Sequence, residues 1–178
     1  MPANWSYSLN AASVPLTVGG GNLGTIADLA FDAWNNEIGG AIHFSVKDTM
    51  ISRAARDGQN IVAWGTAPSS ALAITYIWIK STGEVAELDT IMNQKYPWMW
   101  ARAFNCAQKC GSSEICAYTN AYDAQSILTH EVGHWYGLDD EYDIANSDDT
   151  MYGYGDKWEA KGNTLEAGDI AGLKAIYQ

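Results

Sequence analysis

The sequence predicts an α+β fold in a single domain, with one mixed sheet and a few helices packed on one side of it. Three observations lead there. Five strand-like runs fall within the first 93 residues, helical spacing recurs at 25–35, 125–136 and the C-terminus, and 178 residues suffice for one sizeable core but not for two. Apolar residues make up 47% of the chain and charged residues 17%, so there is enough surface to bury for folding without a partner.

The elements follow in order. WSYSL at 5–9 reads as a strand and GGGN at 19–22 as a turn; Ile26, Leu29, Ala30 and Ala33 then recur at helical spacing between Thr25 and Asn35. AIHFSV at 41–46 alternates like a strand, and an Asp57-Gly58 turn precedes another at 59–64. ALAITYIWIK at 71–80 is β-rich, with Leu72, Ile74, Tyr76 and Trp78 on one face and Ala73, Thr75, Ile77 and Ile79 on the other. A Thr82-Gly83 turn leads to its neighbour, EVAELDTIMN at 84–93, and residues 94–120 read as a long irregular connection. At the end, Leu165, Ile170, Leu173 and Ile176 fall on one face of a helix that Thr164 would cap, with Glu166 and Ala167 in its first turn.

Charge and composition exclude several functions. With 21 acidic and 10 basic side chains the net charge is −11, which repels nucleic acid and anionic membrane surfaces. The charge reads chiefly as solubility, with calcium sites made from some of the carboxylates as the lesser alternative. No apolar run has the length of a membrane span, and Met1-Pro2-Ala3-Asn4 has neither the basic start nor the apolar stretch of a secretory signal. Cys106, Cys110 and Cys116 fit one loop-closing disulfide with a thiol left over as well as three free thiols, and fit a metal site less well.

The chemistry concentrates in THEVGHWYGLDDEYD at 129–143, which holds two of the three histidines. Asp123 is a good helix cap, and on the helix that follows His130 and His134 stand one turn apart on one face, their β-carbons roughly 5–6 Å from each other. Two imidazoles so placed can bind one zinc ion, and Glu131 beside them can reach a metal-bound water without being a ligand. The bland alternative is a surface helix with two solvated histidines. Gly137 weighs against it, because a left-handed residue there ends the helix and brings Asp140 under the imidazoles as a third ligand. Asp139, Glu141 and Asp143 are near enough in sequence to compete for that place. Three protein ligands leave a position for water, as a catalytic site requires.

HEVGHWYGLDD resembles the elongated metzincin motif His-Glu-x-x-His-x-x-Gly-x-x-His/Asp, with the aspartate familiar from snapalysin-type enzymes, and DDTMYGYG places Met151 where the family has its methionine turn. LAFDAWNN, DGQNIVAWG, GEVAELDTIMN and TLEAGDIAGLKAIY fall in the order seen in bacterial matrixins, so the resemblance spans about residue 5 to 178. It implies a metzincin-type zincin fold: a mixed, twisted, five-stranded sheet with an early helix, an active-site helix and a C-terminal helix. It also implies one catalytic domain over 1–178, with an N-terminal subdomain to about 137 and a C-terminal one from about 138. The expected activity is that of a secreted, monomeric zinc endopeptidase with one catalytic zinc on His130, His134 and Asp140, and with Glu131 as general base.

An extended protein or peptide substrate would lie antiparallel to the edge strand, bonded to the main chain around Ala71, Leu72 and Ala73. Ser126, Ile127, Tyr152 and Tyr154 would line the main specificity pocket, in an aromatic neighbourhood that includes Trp158 and suits a hydrophobic side chain just after the cut. Tyr154 stands three residues past Met151, one further than the tyrosine of astacin-like relatives that steadies an oxyanion, so that role is not assigned to it. Matrix metalloproteinases hold a second, structural zinc on several histidines, but only His43 remains here, and its alternating strand predicts a packed histidine rather than a ligand. The competing readings are a silent module of the same fold that binds zinc or peptide, whose expected mark would be loss of the glutamate, and a zinc hydrolase of non-peptide substrates.

Overall fold

The computed structural model describes residues 4–104, 120–157 and 159–178. The three cysteines and Trp158 lie outside the described residues. Among the described residues there are seven strands: β1 (Asn4–Leu9), β2 (His43–Asp48), β3 (Ile61–Gly65), β4 (Ala73–Ile79), β5 (Val85–Asn93), β6 (Trp98–Met99) and β7 (Tyr122–Asp123). The α-helices among the described residues are α1 (Leu23–Glu37), α2 (Ala101–Phe104), α3 (Ala124–Trp135) and α4 (Ala167–Tyr177). Strands β1 to β5 form one sheet in the order β2-β1-β3-β5-β4, parallel except for β4, which runs antiparallel to β5 at the edge. This is the mixed five-stranded sheet with an early, a central and a C-terminal helix that the sequence predicts.

Burial explains the strand patterns. Strand β3 is buried along its whole length because both faces are covered. Val62 and Trp64 point into the main core with α1 and α3, whereas Ile61 and Ala63 point the other way, into a small cluster with Ile91 that Ile51, Ala54 and Tyr76 close over. Helices therefore cover one face and an irregular segment covers the second. In the main core Trp135 of α3 meets Trp5, Tyr7 and Phe31 edge-on, at centroid distances of 6.2, 6.1 and 5.1 Å. Burying Leu128, Val132 and Trp135 fixes which face of α3 is turned inward; side chains of this size contribute about 1.5–3 kcal/mol each. The indole nitrogen of Trp34 adds a buried bond of 2.8 Å to the Thr129 carbonyl, joining α1 to α3.

The covering segment hangs on two buried carboxylates of β5. Glu87 accepts the Asp57 and Gly58 N–H groups at 2.9 and 2.6 Å, and Asp89 accepts those of Ala55 and Ile61 at 3.0 and 3.1 Å. Burial pushes the Asp89 carboxyl from 3.8 up to about 7, against the pull of its two N–H bonds and with added repulsion from Glu87 and Asp57. Between those two values the folded protein holds a proton that the unfolded chain has released, so stability falls as pH rises through that window. Urea unfolding at about pH 5 and pH 8 should show the wild type losing more stability than Asp89→Asn.

Several expectations need correcting. Glu166, not Thr164, caps α4: its side chain and that of Asp169 form a reciprocal capping box, since an acidic pair three apart satisfies the first-turn N–H groups better than the hydroxyl before it. The apolar stripe of α4 is thinner than its spacing suggests, with Leu173 buried and Ile176 50% exposed, because the helix touches the core over little of its length. His43 is exposed rather than packed, on β2 at the edge of the sheet away from β4. The stretch predicted to be irregular over 94–120 contains β6 and α2, and β6 pairs in parallel with β7 just before α3. Among the described residues, no helix is long and apolar enough to cross a membrane.

Candidate metal centre

Both ends of α3 are set by side chains and turns that the sequence specifies. At its start Asp123 accepts the Ser126 N–H and hydroxyl at 2.9 Å each and the Ala101 N–H at 2.7 Å, tying the helix to α2. At its end Gly137 takes φ 91°, and the Gly137 and Leu138 N–H groups return to the His134 and Gly133 carbonyls at 3.1 and 3.2 Å. That pair of bonds is a Schellman turn, which a side chain at 137 would strain. It reverses the chain and carries Asp140 back to the helix.

The result is a convergence of three donor atoms. His130 and His134 lie with ring centroids 5.0 Å apart and planes at 90°, and Asp140 Oδ1 stands 3.1 Å from His130 Nε2 and 3.6 Å from His134 Nε2. Each ring is oriented from behind: His130 Nδ1 lies 2.8 Å from the Thr150 carbonyl, and His134 Nδ1 lies 2.9 Å from that of Leu138. A carbonyl can only accept, so each Nδ1 carries a proton, and in the neutral imidazoles both Nε2 lone pairs face the common point; this donor set suits zinc. Among the described residues this is the one group of His, Cys, Asp and Glu side chains that could hold a metal ion.

The neighbouring carboxylates are engaged elsewhere. Asp139 accepts the Asp140 N–H, Glu141 those of Tyr142 and Asp143, and Asp143 that of Ala145. Tyr142 donates its hydroxyl to Asp140 Oδ2 at 2.9 Å, leaving Oδ1 toward the histidines. His130 holds the Asp140 carboxyl down at about 2 despite its partial burial. Burial opposes charge on His130, but Asp140 and the adjacent Glu131 outweigh it and raise its pKa.

Glu131 is 4% exposed, and its Oε2 accepts the Thr75 hydroxyl at 2.7 Å. Met151 is buried against α3 at Gly133. Any side chain at Gly133 would strike its sulfur, and the Trp34 ring lies 2.8 Å from the same point, so only glycine lets the two segments approach this closely. Asp169 of α4 supports the Met151 turn, accepting the Thr150, Met151 and Glu166 N–H groups at 2.8, 2.9 and 2.9 Å.

The three donors and Glu131 lie in a cleft of about 740 Å³ that is also lined by Ala71, Leu72, Ala73, Ser126, Ile127, Tyr152 and Tyr154. All the residues expected to touch substrate thus share one cleft; Met151 is buried and does not line it. The Ala71 N–H donates to Pro68 O at 3.1 Å, and its carbonyl accepts from Asn93 Nδ2 at 2.9 Å. Asn93 N–H donates to Leu72 O, so by antiparallel alternation Ala73, Thr75 and Ile77 carry the main-chain groups that face away from β5. Tyr154 is exposed and stacks edge-on against Tyr142 and Tyr152, at 5.4 and 5.7 Å.

Sequence reasoning did not single out Thr75, Asp169 or Tyr142. Thr75 is the polar member of an otherwise apolar strand face, and Asp169 follows Glu166 at capping-box spacing, so both left a signal; Tyr142 left none.

A helix that presents two histidines and a buried glutamate to an open cleft, with a carboxylate completing the donor set, defines a metal-dependent hydrolase of the zincin type. Residues 16–178 match the family model described as Matrixin, and the chain belongs to the matrixins, a family of zinc metallopeptidases. No curated protein matches it.

Proposed function

We propose that the protein is a zinc endopeptidase that holds its metal on His130, His134 and Asp140 and cuts extended segments of polypeptide. The observation that carries this reading is the convergence of two Nε2 atoms and one carboxylate oxygen, each ring fixed by a backbone carbonyl, in a cleft lined by the edge strand β4. Zinc bound there supplies a Lewis acid that lowers the pKa of a water and polarises the scissile carbonyl. Met151 acts as the methionine turn, keeping the floor under the histidines rigid.

The remaining work falls to the chain itself. Ala73 and Thr75 offer main-chain donors and acceptors to an antiparallel substrate strand, which gives affinity for any extended peptide. Glu131 takes a proton from the attacking water as its oxygen bonds to the carbonyl carbon, then delivers that proton to the amide nitrogen as the C–N bond breaks. Ser126, Ile127, Tyr152 and Tyr154 form the pocket for the side chain after the cut and favour a hydrophobic one. Residues up to about 137 form the N-terminal subdomain and those from about 138 the C-terminal one, and both contribute to the lining of the cleft. The protein acts as a monomer and, as matrixins generally do, outside the cell.

Metal removal tests this. Protein stripped by a chelator should lose cleavage of an unfolded protein substrate and regain it as one zinc per chain is restored, with hydrophobic residues enriched at the new amino termini. Cleavage that persists without metal would overturn the reading.

A further inference from the structure

Thr75 joins the proposed substrate strand to the proposed general base. Its Oγ1 lies 2.7 Å from Glu131 Oε2 and 2.8 Å from Thr90 Oγ1, and Thr90 Oγ1 in turn accepts the Trp135 indole N–H at 2.8 Å. The ends of this chain fix its direction, because an indole nitrogen only donates and a carboxylate only accepts. Thr90, already accepting from Trp135, gives its proton to Thr75, and Thr75 gives its own to Glu131. Trp135 and Thr90 are buried, and Trp135 is locked by the aromatic core, so the relay is anchored in the rigid part of the fold. Thr75 Oγ1 also lies 3.2 Å from the Glu131 carbonyl, which holds the hydroxyl against this one helix position.

From this geometry we infer that Thr75 is a positioning residue for the peptidase reaction: its hydroxyl holds Glu131 Oε2, so that Oε1 is the oxygen that accepts and returns the proton. The inference rests on the zinc endopeptidase reading. Thr75 is also one of the residues whose main-chain groups face outward on β4. A substrate strand bonded to that edge is therefore placed in register with the carboxylate through a single residue.

The test compares Thr75→Val, which keeps the shape and loses the hydroxyl, with Thr75→Ser, which keeps the hydroxyl. Thr75→Ala is carried alongside in case valine over-packs. For the zinc-loaded enzyme, kcat should fall by about 10–100-fold in the valine and alanine variants, with KM, zinc content and Tm close to wild type, and serine should restore most of the rate. In a Glu131→Gln background the valine substitution should cost nothing further, because the carboxylate it positions is gone.

Wild-type kcat in Thr75→Val would overturn the proposal. So would a Thr75→Ser enzyme as impaired as the valine one, or a loss confined to KM or zinc content. A wild type that shows no zinc-dependent cleavage, or one indifferent to Glu131→Gln, would instead sink the underlying endopeptidase reading.

Discussion

Glu131→Gln is expected to lower kcat on an unfolded protein substrate by about 10²–10⁴-fold, the range ascribed to a positioned general base, while the protein still binds one zinc. The separation follows from geometry. Glu131 is not among the three convergent donors, and both histidines are oriented by the Thr150 and Leu138 carbonyls rather than by Glu131. The amide keeps an oxygen that can accept from Thr75, and its volume is nearly that of the acid, so the buried site need not rearrange. Only the ability to take up and return a proton is lost. Kinetics, zinc content by atomic spectroscopy and a thermal melt on the same samples would decide it; equal turnover by variant and wild type would remove Glu131 from the mechanism.

Asp169→Ala should be strongly destabilising. The carboxylate is 3% exposed and accepts three backbone N–H groups, those of Thr150, Met151 and Glu166. An orphaned buried donor costs about 1–3 kcal/mol, so alanine should remove on the order of 3 kcal/mol or more from a fold whose total stability is about 5–15 kcal/mol. Asparagine is the informative comparison. With its oxygen at the Oδ2 position it keeps the bonds to Thr150 and Glu166 and opposes only the Met151 N–H, so its cost should be near that of one bond, about 1–3 kcal/mol. The damage should also reach the metal, because the Thr150 carbonyl that orients His130 sits on the turn that Asp169 holds. Zinc affinity should weaken in the order wild type, Asp169→Asn, Asp169→Ala, as read by competition with a chromophoric chelator. An alanine variant with unchanged urea midpoint and zinc affinity would show that the turn holds itself.

How legible the site was depended on how local its causes are. The histidine pair, the glutamate, the helix cap at Asp123 and the turn at Gly137 lie within fifteen residues and follow from helical pitch and backbone sterics, so spacing alone located them. The early helix and the edge strand were equally readable, because a period of 3.6 or of 2 is a property of the segment itself. Thr164 as a cap failed for a related reason: the better cap came two residues later, and choosing between them depends on hydrogen bonds with Asp169 one turn into the helix. His43 failed because alternation shows that a strand has two faces but not whether either face is covered, and β2 turned out to lie at an exposed edge.

The sequence by itself determined the α+β class, the order of the five main strands and of the early, central and C-terminal helices, and the helical frame in which His130, Glu131, His134 and the returning Asp140 can meet. These depend on contacts made within a turn or two of the chain. Tertiary structure alone decided that the Thr150 carbonyl holds His130, that Gly133 must be bare against Met151, and that Thr75 reaches Glu131. Each of these joins groups brought together by packing rather than by sequence spacing, as in the 56 positions between Thr75 and Glu131. No local periodicity encodes such a meeting; it exists only once the sheet and helices have buried their apolar faces against each other.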